Sequence, residues 1–211
     1  MPAFSRRTLL AVSAVPLASA LLGHGARGQD SEVTREMILN DPAVPVGGNP
    51  KGDLTIVAYL DYNCPYCKKT APILDRIVKE DGRIRLVYKD WPVIRPTSID
   101  GATLAIAANF QGKYEAAHHA LMSIPGSNVS RDAMSKALQA AGIDMSRLDA
   151  DMAARAGEID ALIKRNMAQG DALDLTGTPT FLVGPFRTST LDAQGFKQVI
   201  KDARAHRAEP R

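Results

Sequence analysis

The sequence predicts an α/β fold that is interrupted by an all-helical insertion. Two observations lead to this prediction. A strand, a helix and a second strand follow one another over residues 54–88, an order that favours a parallel strand pair joined by a crossover helix. Residues 97–170 then show helical spacing of apolar side chains and no convincing strand, whereas strand-forming sequence returns over 180–191.

Three apolar segments define the first part of this fold. Residues 54–60 are rich in β-branched and apolar side chains and predict a buried strand. The helical spacing over 65–80 predicts a helix that ends at Gly82. Residues 84–88 begin with alternating apolar and polar side chains and predict the second strand.

The insertion and the last part of the chain are predicted in the same way. Within the insertion, Ser130 is a favourable residue for a helix start. One later helix is predicted by four apolar residues at helical spacing: Leu148, Met152, Ile159 and Ile163. Residues 180–183 and 186–191 then predict a β-hairpin, and Asp192 is expected to cap a final helix.

Composition and charge exclude several classes of protein. The 211 residues allow one domain, or one domain with an insertion, and 45% hydrophobic residues exclude a disordered or fibrous chain. The net charge of +3 comes from Arg6, Arg7 and Arg27, because the rest of the chain has 23 basic and 23 acidic side chains. We therefore expect neither nucleic acid nor an anionic membrane surface as a partner.

Residues 1–28 predict an export signal. Arg6 and Arg7 precede a mostly apolar stretch that is too short and too weakly apolar for a good membrane span. Small residues permit cleavage after Ala20 or, as we prefer, after Gly28. The arginine pair resembles a twin-arginine signal, and an ordinary secretory signal is the alternative. Both predict the periplasm or the cell exterior, which is an oxidising compartment.

The two cysteines, Cys64 and Cys67, are separated by two residues, and this spacing favours redox use. A disulfide across so short a loop stabilises by about 2 kcal/mol, against about 3 for a 15-residue loop, so a structural bridge is disfavoured. A structural zinc site needs four ligands, and the sequence has no second Cys-x-x-Cys. His118 and His119 are adjacent and point about 100° apart on a helix. We therefore expect no metal and no organic cofactor.

The position of the pair gives the two thiols different chemistry. Cys64 lies where the predicted strand ends and the predicted helix begins, and Pro65 suits the first helical turn. Free backbone N–H groups and the helix dipole favour a thiolate at Cys64. Cys67 is expected to be more buried and to have the higher pKa. Cys64 is then the residue that meets the substrate, and Cys67 resolves the mixed disulfide.

A second motif completes a family resemblance. Residues 176–181 (Thr-Gly-Thr-Pro-Thr-Phe) place a proline directly before a strand, where a cis peptide bond is possible. With the Cys-x-x-Cys at a strand–helix junction and the helical block between them, this resembles the DsbA family of exported thiol–disulfide oxidoreductases, which have a thioredoxin-like fold with a helical insertion. Residues 61–69 and 87–93 resemble further family segments, and the resemblance covers about residues 45–203.

The resemblance implies a site, substrates and a domain division. Four residues beside the cysteines are expected to bind substrate: Pro65, Tyr66, Thr178 and Pro179. Pro179 is expected to be cis. The implied substrates are unfolded or partly folded exported proteins, with a membrane partner that restores the redox state, and we expect a monomer. The expected parts are a signal peptide (1–28), an N-terminal segment (29–53, with a helix at 31–39 and then a loop), a thioredoxin-like domain (54–96 and 171–207) and the helical insertion (97–170).

Three departures from the family leave the direction of electron flow open. Ala58 occupies the position six residues before Cys64, where thioredoxin-like proteins often have a buried acid. The dipeptide between the cysteines is Pro-Tyr and not the Pro-His of strongly oxidising members, so we expect a potential of roughly −150 to −230 mV. Thr178 before the proline is more similar to the isomerase branch. The chain is therefore expected to be an oxidase, or an isomerase or reductase.

A second class of function uses the same cysteine pair. Two thiolates suffice for linear Cu(I), so the alternative is a periplasmic binding protein for a soft metal such as copper. Three further residues outside the motifs have expected places. His118 lies on a packed or solvated helix face, Trp91 in the core, and Lys89 either beneath the redox pair or at an exposed strand end.

Overall fold

The computed structural model describes residues 33–208, which hold one five-stranded sheet and the helices around it. The strands are β1 (Val46–Gly48), β2 (Leu54–Leu60), β3 (Ile84–Asp90), β4 (Thr180–Val183) and β5 (Phe186–Thr188). The helices are α1 (Arg35–Leu39), α2 (Pro65–Asp81), α3 (Ser98–Asn109), α4 (Tyr114–Met122), α5 (Arg131–Ala140), α6 (Met145–Ala154), α7 (Ala156–Ala172) and α8 (Ala193–Ala208). The predicted signal peptide and the first residues of the predicted 31–39 helix lie outside the described residues.

The sheet has the strand order β1-β3-β2-β4-β5. The central strands β2 and β3 are parallel and in register from Leu54 opposite Ile84 to Leu60 opposite Asp90. The other three pairings are antiparallel. The predicted α/β class and its parallel pair are therefore confirmed, and both central strands end at the same edge of the sheet.

Both faces of the central strands are covered by helices. Helices α1 and α7 contact β2 and β3 on one face, and α2 and α8 pack together on the other. This is why β2 and β3 are almost continuously buried and consist mainly of apolar residues, as is usual for parallel strands. We refer to the two sides as the α1/α7 face and the α2/α8 face.

The structure corrects the prediction for residues 40–53. This segment was expected to be a loop, and it contains a short strand. Val46–Gly48 forms β1, which pairs antiparallel with β3. Gly48 has φ +65°, and a Cβ there would lie 2.5 Å from the Ile84 carbonyl oxygen, so this close approach requires glycine. A strand of three residues beside prolines and glycines carries too little periodicity to be found from the sequence.

The residues between β3 and β4 form five helices, with one difference from the prediction. The single helix expected through Leu148 and Ile163 is in fact two helices, α6 and α7, which meet at Arg155 (φ −119°). The Arg155 guanidinium lies over the Phe110 ring, 4.5 Å from its centroid. As predicted, Ser130 caps α5, since its side chain accepts the Ala133 N–H. The predicted strand at 186–191 is shorter and ends at Thr188.

The α8 start agrees with the prediction: the Asp192 carboxylate accepts the Gly195 N–H at 2.7 Å. Among residues 33–208, no helix has both the length and the apolar character needed to cross a membrane.

Candidate redox site

The two cysteines occupy the first turn of α2, at the edge where β2 ends. Cys64 is the N-cap residue, with extended backbone angles (φ −82°, ψ 116°), and Pro65 is the first helical residue. The Cys64 sulfur accepts the Cys67 N–H at 3.3 Å, so it takes one of the free donors of the helix start. Both cysteines are free thiols in this structure.

The two thiols differ strongly in proton affinity. The Cys67 thiol donates a hydrogen bond to Cys64 and is the main cause that lowers the pKa of Cys64 to about 6, with help from Thr178 and from backbone N–H groups. Burial raises the pKa of Cys67, which has no exposed surface. At neutral pH, Cys64 is therefore mainly a thiolate and Cys67 a thiol, as the sequence predicted.

The loop before β4 lies against Cys64. The Thr178–Pro179 peptide bond is cis, as expected. The Thr178 carbonyl oxygen accepts the Cys64 thiol at 3.1 Å, and the Thr178 hydroxyl is buried without a hydrogen-bond partner. Pro179 is buried, and its carbonyl oxygen accepts the Ser189 hydroxyl at 3.0 Å. The structure thus brings the two motifs together across 114 residues of sequence.

The predicted substrate-binding residues on α2 are accessible. Pro65 is exposed, and Tyr66 is 59% exposed. Two clefts flank this turn of α2. One of about 500 Å³ is lined by Tyr66 and by the loop of Thr178, and one of about 860 Å³ is lined by Pro65 and by the loop after α4.

Asp61, directly after β2, anchors the neighbouring segment, a role that was not predicted from the sequence. Its carboxylate accepts the backbone N–H groups of Asn63, Val93 and Ile94 and the Ser98 hydroxyl, all at 2.7–2.9 Å. Four donors satisfy a fully buried carboxylate. The sequence did contain a signal for this role, because Asp61 is an acid directly after a buried strand and three residues before Cys64.

Asn63 attaches the helical insertion to the redox turn. Its amide donates to the Thr97 hydroxyl at 3.0 Å, and its carbonyl oxygen accepts the Val129 N–H at 2.9 Å. Because Asn63 directly precedes Cys64, the insertion and the redox turn are held together by a completely buried side chain.

A buried polar cluster lies beside the redox turn on the α2/α8 face. The Tyr114 hydroxyl donates to the Asp90 carboxylate at 2.9 Å, and the Tyr62 hydroxyl lies 3.3 Å from that of Tyr114 and 3.1 Å from Nδ1 of His118. Burial raises the pKa of Asp90 to about 7 and lowers that of His118 to about 4. His118 therefore packs as a neutral ring, on the packed one of its two expected helix faces. His119 is accessible and pairs with Asp75 at 3.1 Å.

Lys89 occupies neither of its two expected positions. It has no exposed surface and lies on the α1/α7 face, where Asp41, Arg165 and Arg85 are its charged neighbours. Burial lowers the pKa of Lys89 to about 8. Trp91 is 4% exposed and belongs to the core, as predicted.

The sulfur atoms of Cys64 and Cys67 are the soft ligands that the site offers to a metal ion. Among the described residues, no three His, Cys, Asp or Glu side chains form a group that could hold a metal ion. Ala58, beneath the turn on β2, has no exposed surface and supplies no carboxylate.

This fold, with a Cys-x-x-Cys at a helix start opposite a cis-proline loop, defines a thioredoxin-like protein. The family model described as thioredoxin matches residues 40–202, and the chain belongs to this family. The thioredoxin-like fold with its resemblance to the DsbA group is therefore confirmed.

Solved structures agree with this assignment. A thioredoxin-like oxidoreductase from Silicibacter pomeroyi is 36% identical, with a TM-score of 0.76 over 84% of this chain and 100% of that one. The thiol-disulfide exchange protein alpha-DsbA2 from Wolbachia pipientis shares the fold, with 24% identity and a TM-score of 0.74 over 79% of this chain and 90% of that one.

A curated relative is larger than this chain. It is the Na(+)/H(+) antiporter NhaA 1 from Mycolicibacterium gilvum, 29% identical over 159 residues, which make up 69% of this chain. The chain spans about a quarter of the length of the curated relatives that it matches.

Proposed function

We propose that the protein is an exported thiol–disulfide oxidoreductase that exchanges a Cys64–Cys67 disulfide with cysteines of other proteins. The observation that carries this proposal is the difference between the two thiols within one helical turn. The pKa of Cys64 is lowered to about 6, whereas that of the buried Cys67 is raised. A stable thiolate is both a ready nucleophile and a good leaving group, which exchange requires at Cys64.

The exchange proceeds through a mixed disulfide. In the oxidising direction, a substrate thiolate attacks the Cys64 sulfur, the Cys64–Cys67 bond breaks, and Cys67 leaves and takes up a proton. A second substrate thiolate then attacks the substrate sulfur of the mixed disulfide and releases Cys64 as a thiolate. Two electrons pass from the substrate dithiol to the enzyme. In the reducing or isomerising direction, the Cys64 thiolate attacks a substrate disulfide and Cys67 resolves it.

The surface around the cysteines favours a polypeptide substrate. Five large apolar side chains of the described residues are well exposed. Four of them belong to the redox turn or to segments bonded to Asp61 beside it: Tyr66, Val93, Ile94 and Ile99. Exposed apolar residues concentrated at one site are typical of an interaction surface. We propose that an unfolded or partly folded chain lies in the cleft between Tyr66 and Thr178 and continues over the exposed Pro65, with the buried Pro179 shaping the loop beneath it.

The location and the partners belong to the same proposal. The sequence of residues 1–28 supports export to the periplasm, by a twin-arginine or an ordinary secretory route. A membrane protein would then restore the redox state of the pair, and the enzyme would act as a monomer. Ion transport forms no part of the proposal, because the chain spans only about a quarter of the antiporters that it matches.

Reduction of insulin by dithiothreitol tests the activity. We expect the protein to accelerate it and Cys64→Ala to abolish the acceleration. Cys67→Ala should instead accumulate the mixed disulfide, because the resolving thiol is missing. Tight Cu(I) binding with no exchange would overturn the proposal in favour of a copper protein. The raised pKa of Cys67 works against that alternative, since linear Cu(I) would need both thiolates.

Equilibration with glutathione buffers tests the direction of electron flow. A potential of about −120 mV would identify a disulfide donor and contradict the expectation from the Pro-Tyr dipeptide. A potential of about −200 mV or below would support an isomerase or reductase that a partner keeps reduced.

A further inference from the structure

Asp90 is a buried acid that the proposed exchange chemistry does not use. It is the last residue of β3, 2% exposed, and lies in register with Leu60, after which β2 continues into the redox turn. One carboxylate oxygen accepts the Tyr114 hydroxyl, and the other has no hydrogen-bond partner. Asp61, the other buried carboxylate, has four donors. A carboxylate with so few donors holds its proton more tightly.

The groups that face Asp90 provide no positive charge. Helix α4 contributes Tyr114 and His118, and the redox turn contributes Tyr62 and Asp61. Tyr88 is on the same strand, and from α7 the Asn166 amide donates to the backbone carbonyl of Asp90. His118 is neutral near pH 7, because burial lowers its pKa to about 4. A negative charge on Asp90 is therefore not neutralised by its neighbours.

A rigid side chain connects Asp90 with the cysteines. The Tyr62 hydroxyl lies 3.3 Å from the Tyr114 hydroxyl, which in turn donates to Asp90, and the Tyr62 backbone lies two residues before Cys64. Its ring packs directly on Gly101 of α3, where an added Cβ would come within 2.9 Å of it. The polar cluster and the redox turn are thus one packed unit, and charges within such a unit interact through a medium of low polarity.

We propose that Asp90 is a positioning residue of the redox centre, which takes up a proton when the disulfide is reduced and releases it when the disulfide forms. This inference rests on the proposed exchange function. The acid with this proposed role stands at the end of β3, whereas the position on β2 six residues before Cys64 is Ala58.

Reduction of the disulfide moves two electrons and up to two protons. The disulfide accepts two electrons from the substrate dithiol, and its bond breaks to give two sulfur atoms. Cys67 binds one proton and becomes a thiol, whereas Cys64 remains a thiolate. The new negative charge on Cys64 raises the proton affinity of Asp90. In a fraction of the molecules, Asp90 therefore binds a second proton from solvent. By reciprocity, an ionised Asp90 must raise the pKa of Cys64 to the same extent.

The test is a pH titration of the Cys64 thiolate by its ultraviolet absorbance in the reduced protein. We expect the wild-type titration to be broadened by the second ionising group. Asp90→Asn keeps the shape and removes the charge, so its titration should be a single step with a pKa lower by about half a unit. Glu115→Gln is the matched control, because it removes an exposed charge next to Tyr114 and should leave the titration unchanged.

A second variant keeps the proposal testable if Asp90→Asn does not fold. Tyr114→Phe removes the donor to Asp90, so the carboxylate is less stable and the second ionisation should move to higher pH. Carbon-13 NMR of the Asp90 carboxyl should show a higher pKa in the reduced protein than in the oxidised one. Equal carboxyl pKa values in both redox states, or a Cys64 titration in Asp90→Asn identical to the wild type, would overturn the proposal. Failure of the proposed function would be seen in a different assay, because the wild-type protein would then not accelerate the reduction of insulin.

Discussion

Lys89 and Asp90 are neighbours in the sequence, and their side chains lie on opposite faces of the sheet. Both are fully buried, and each has a polar atom without a hydrogen-bond partner. Lys89 is on the α1/α7 face, where the oppositely charged Asp41 and Arg165 form an ion pair at 2.9 Å. Asp90 is on the α2/α8 face among tyrosines and a neutral histidine.

The difference shows how one strand serves two purposes. On the α1/α7 face, polar contacts attach the N-terminal helix: Arg85 donates to the Leu39 carbonyl oxygen and Gln169 to that of Met37. On the α2/α8 face, the cluster around Asp90 contacts the redox turn. Because strand residues alternate between faces, two adjacent charges are separated into a structural region and a redox region.

The largest expected effect is on the pH dependence of stability, and it comes from Asp90. Its pKa rises from 3.8 to about 7 on folding, so the folded protein binds this proton more tightly than the unfolded chain. The contribution of Asp90 to the free energy of unfolding is fully present below pH 4. It is lost as the pH rises to 7, and the loss is up to about 4 kcal/mol. Urea unfolding of Asp90→Asn should not show this loss. An unchanged pH dependence in the variant would contradict the burial of a titrating acid.

Lys89 should produce a somewhat smaller effect of opposite sign. Its pKa falls from 10.5 to about 8 on folding, so stability increases as pH rises from 8 to 10.5, by up to about 3 kcal/mol. Lys89→Met should remove this increase and make the protein more stable at pH 7, since no buried charge remains. The exposed Lys79→Met is the control and should change neither property. If Lys89→Met were less stable than the wild type at pH 7, the Lys89 amine would have to make a stabilising interaction in the folded protein.

A pair of glycine substitutions tests whether the two faces act independently. A Cβ on Gly170 would lie 2.6 Å from the Trp91 ring on the α1/α7 face, and one on Gly101 would lie 2.9 Å from Tyr62 on the other. Both alanine variants should lose about 1–3 kcal/mol of stability through overpacking. Only Gly101→Ala should also change the Cys64 thiolate titration. A change of that titration in Gly170→Ala would show that the faces are coupled.

The same residues show what could be predicted from the sequence. The Cys-x-x-Cys at a strand end and the Thr178–Pro179 loop are short motifs with strong local signals, and their positions follow from the fold. The predicted strand ended at residue 88, before the charged pair Lys89 and Asp90, whereas β3 includes both residues. Their burial depends on partners that are distant in sequence, such as Asp41 and Tyr114, and local periodicity contains no information on them.

The smallest expected effect separates hydrogen bonding from charge at the redox turn. The buried Thr178 hydroxyl has no partner while Cys64 is a thiol, and it lowers the pKa of Cys64 because it is free to donate to the thiolate. Thr178→Val keeps the shape of the side chain and removes the donor, so the pKa of Cys64 should rise by about half a unit. Thr178→Ser retains the hydroxyl and should stay close to the wild type in the same absorbance titration. Since Asp90→Asn should lower this pKa and Thr178→Val should raise it, the double variant should return near the wild-type value. A large departure from that value would mean that the two groups act on Cys64 through each other and not separately.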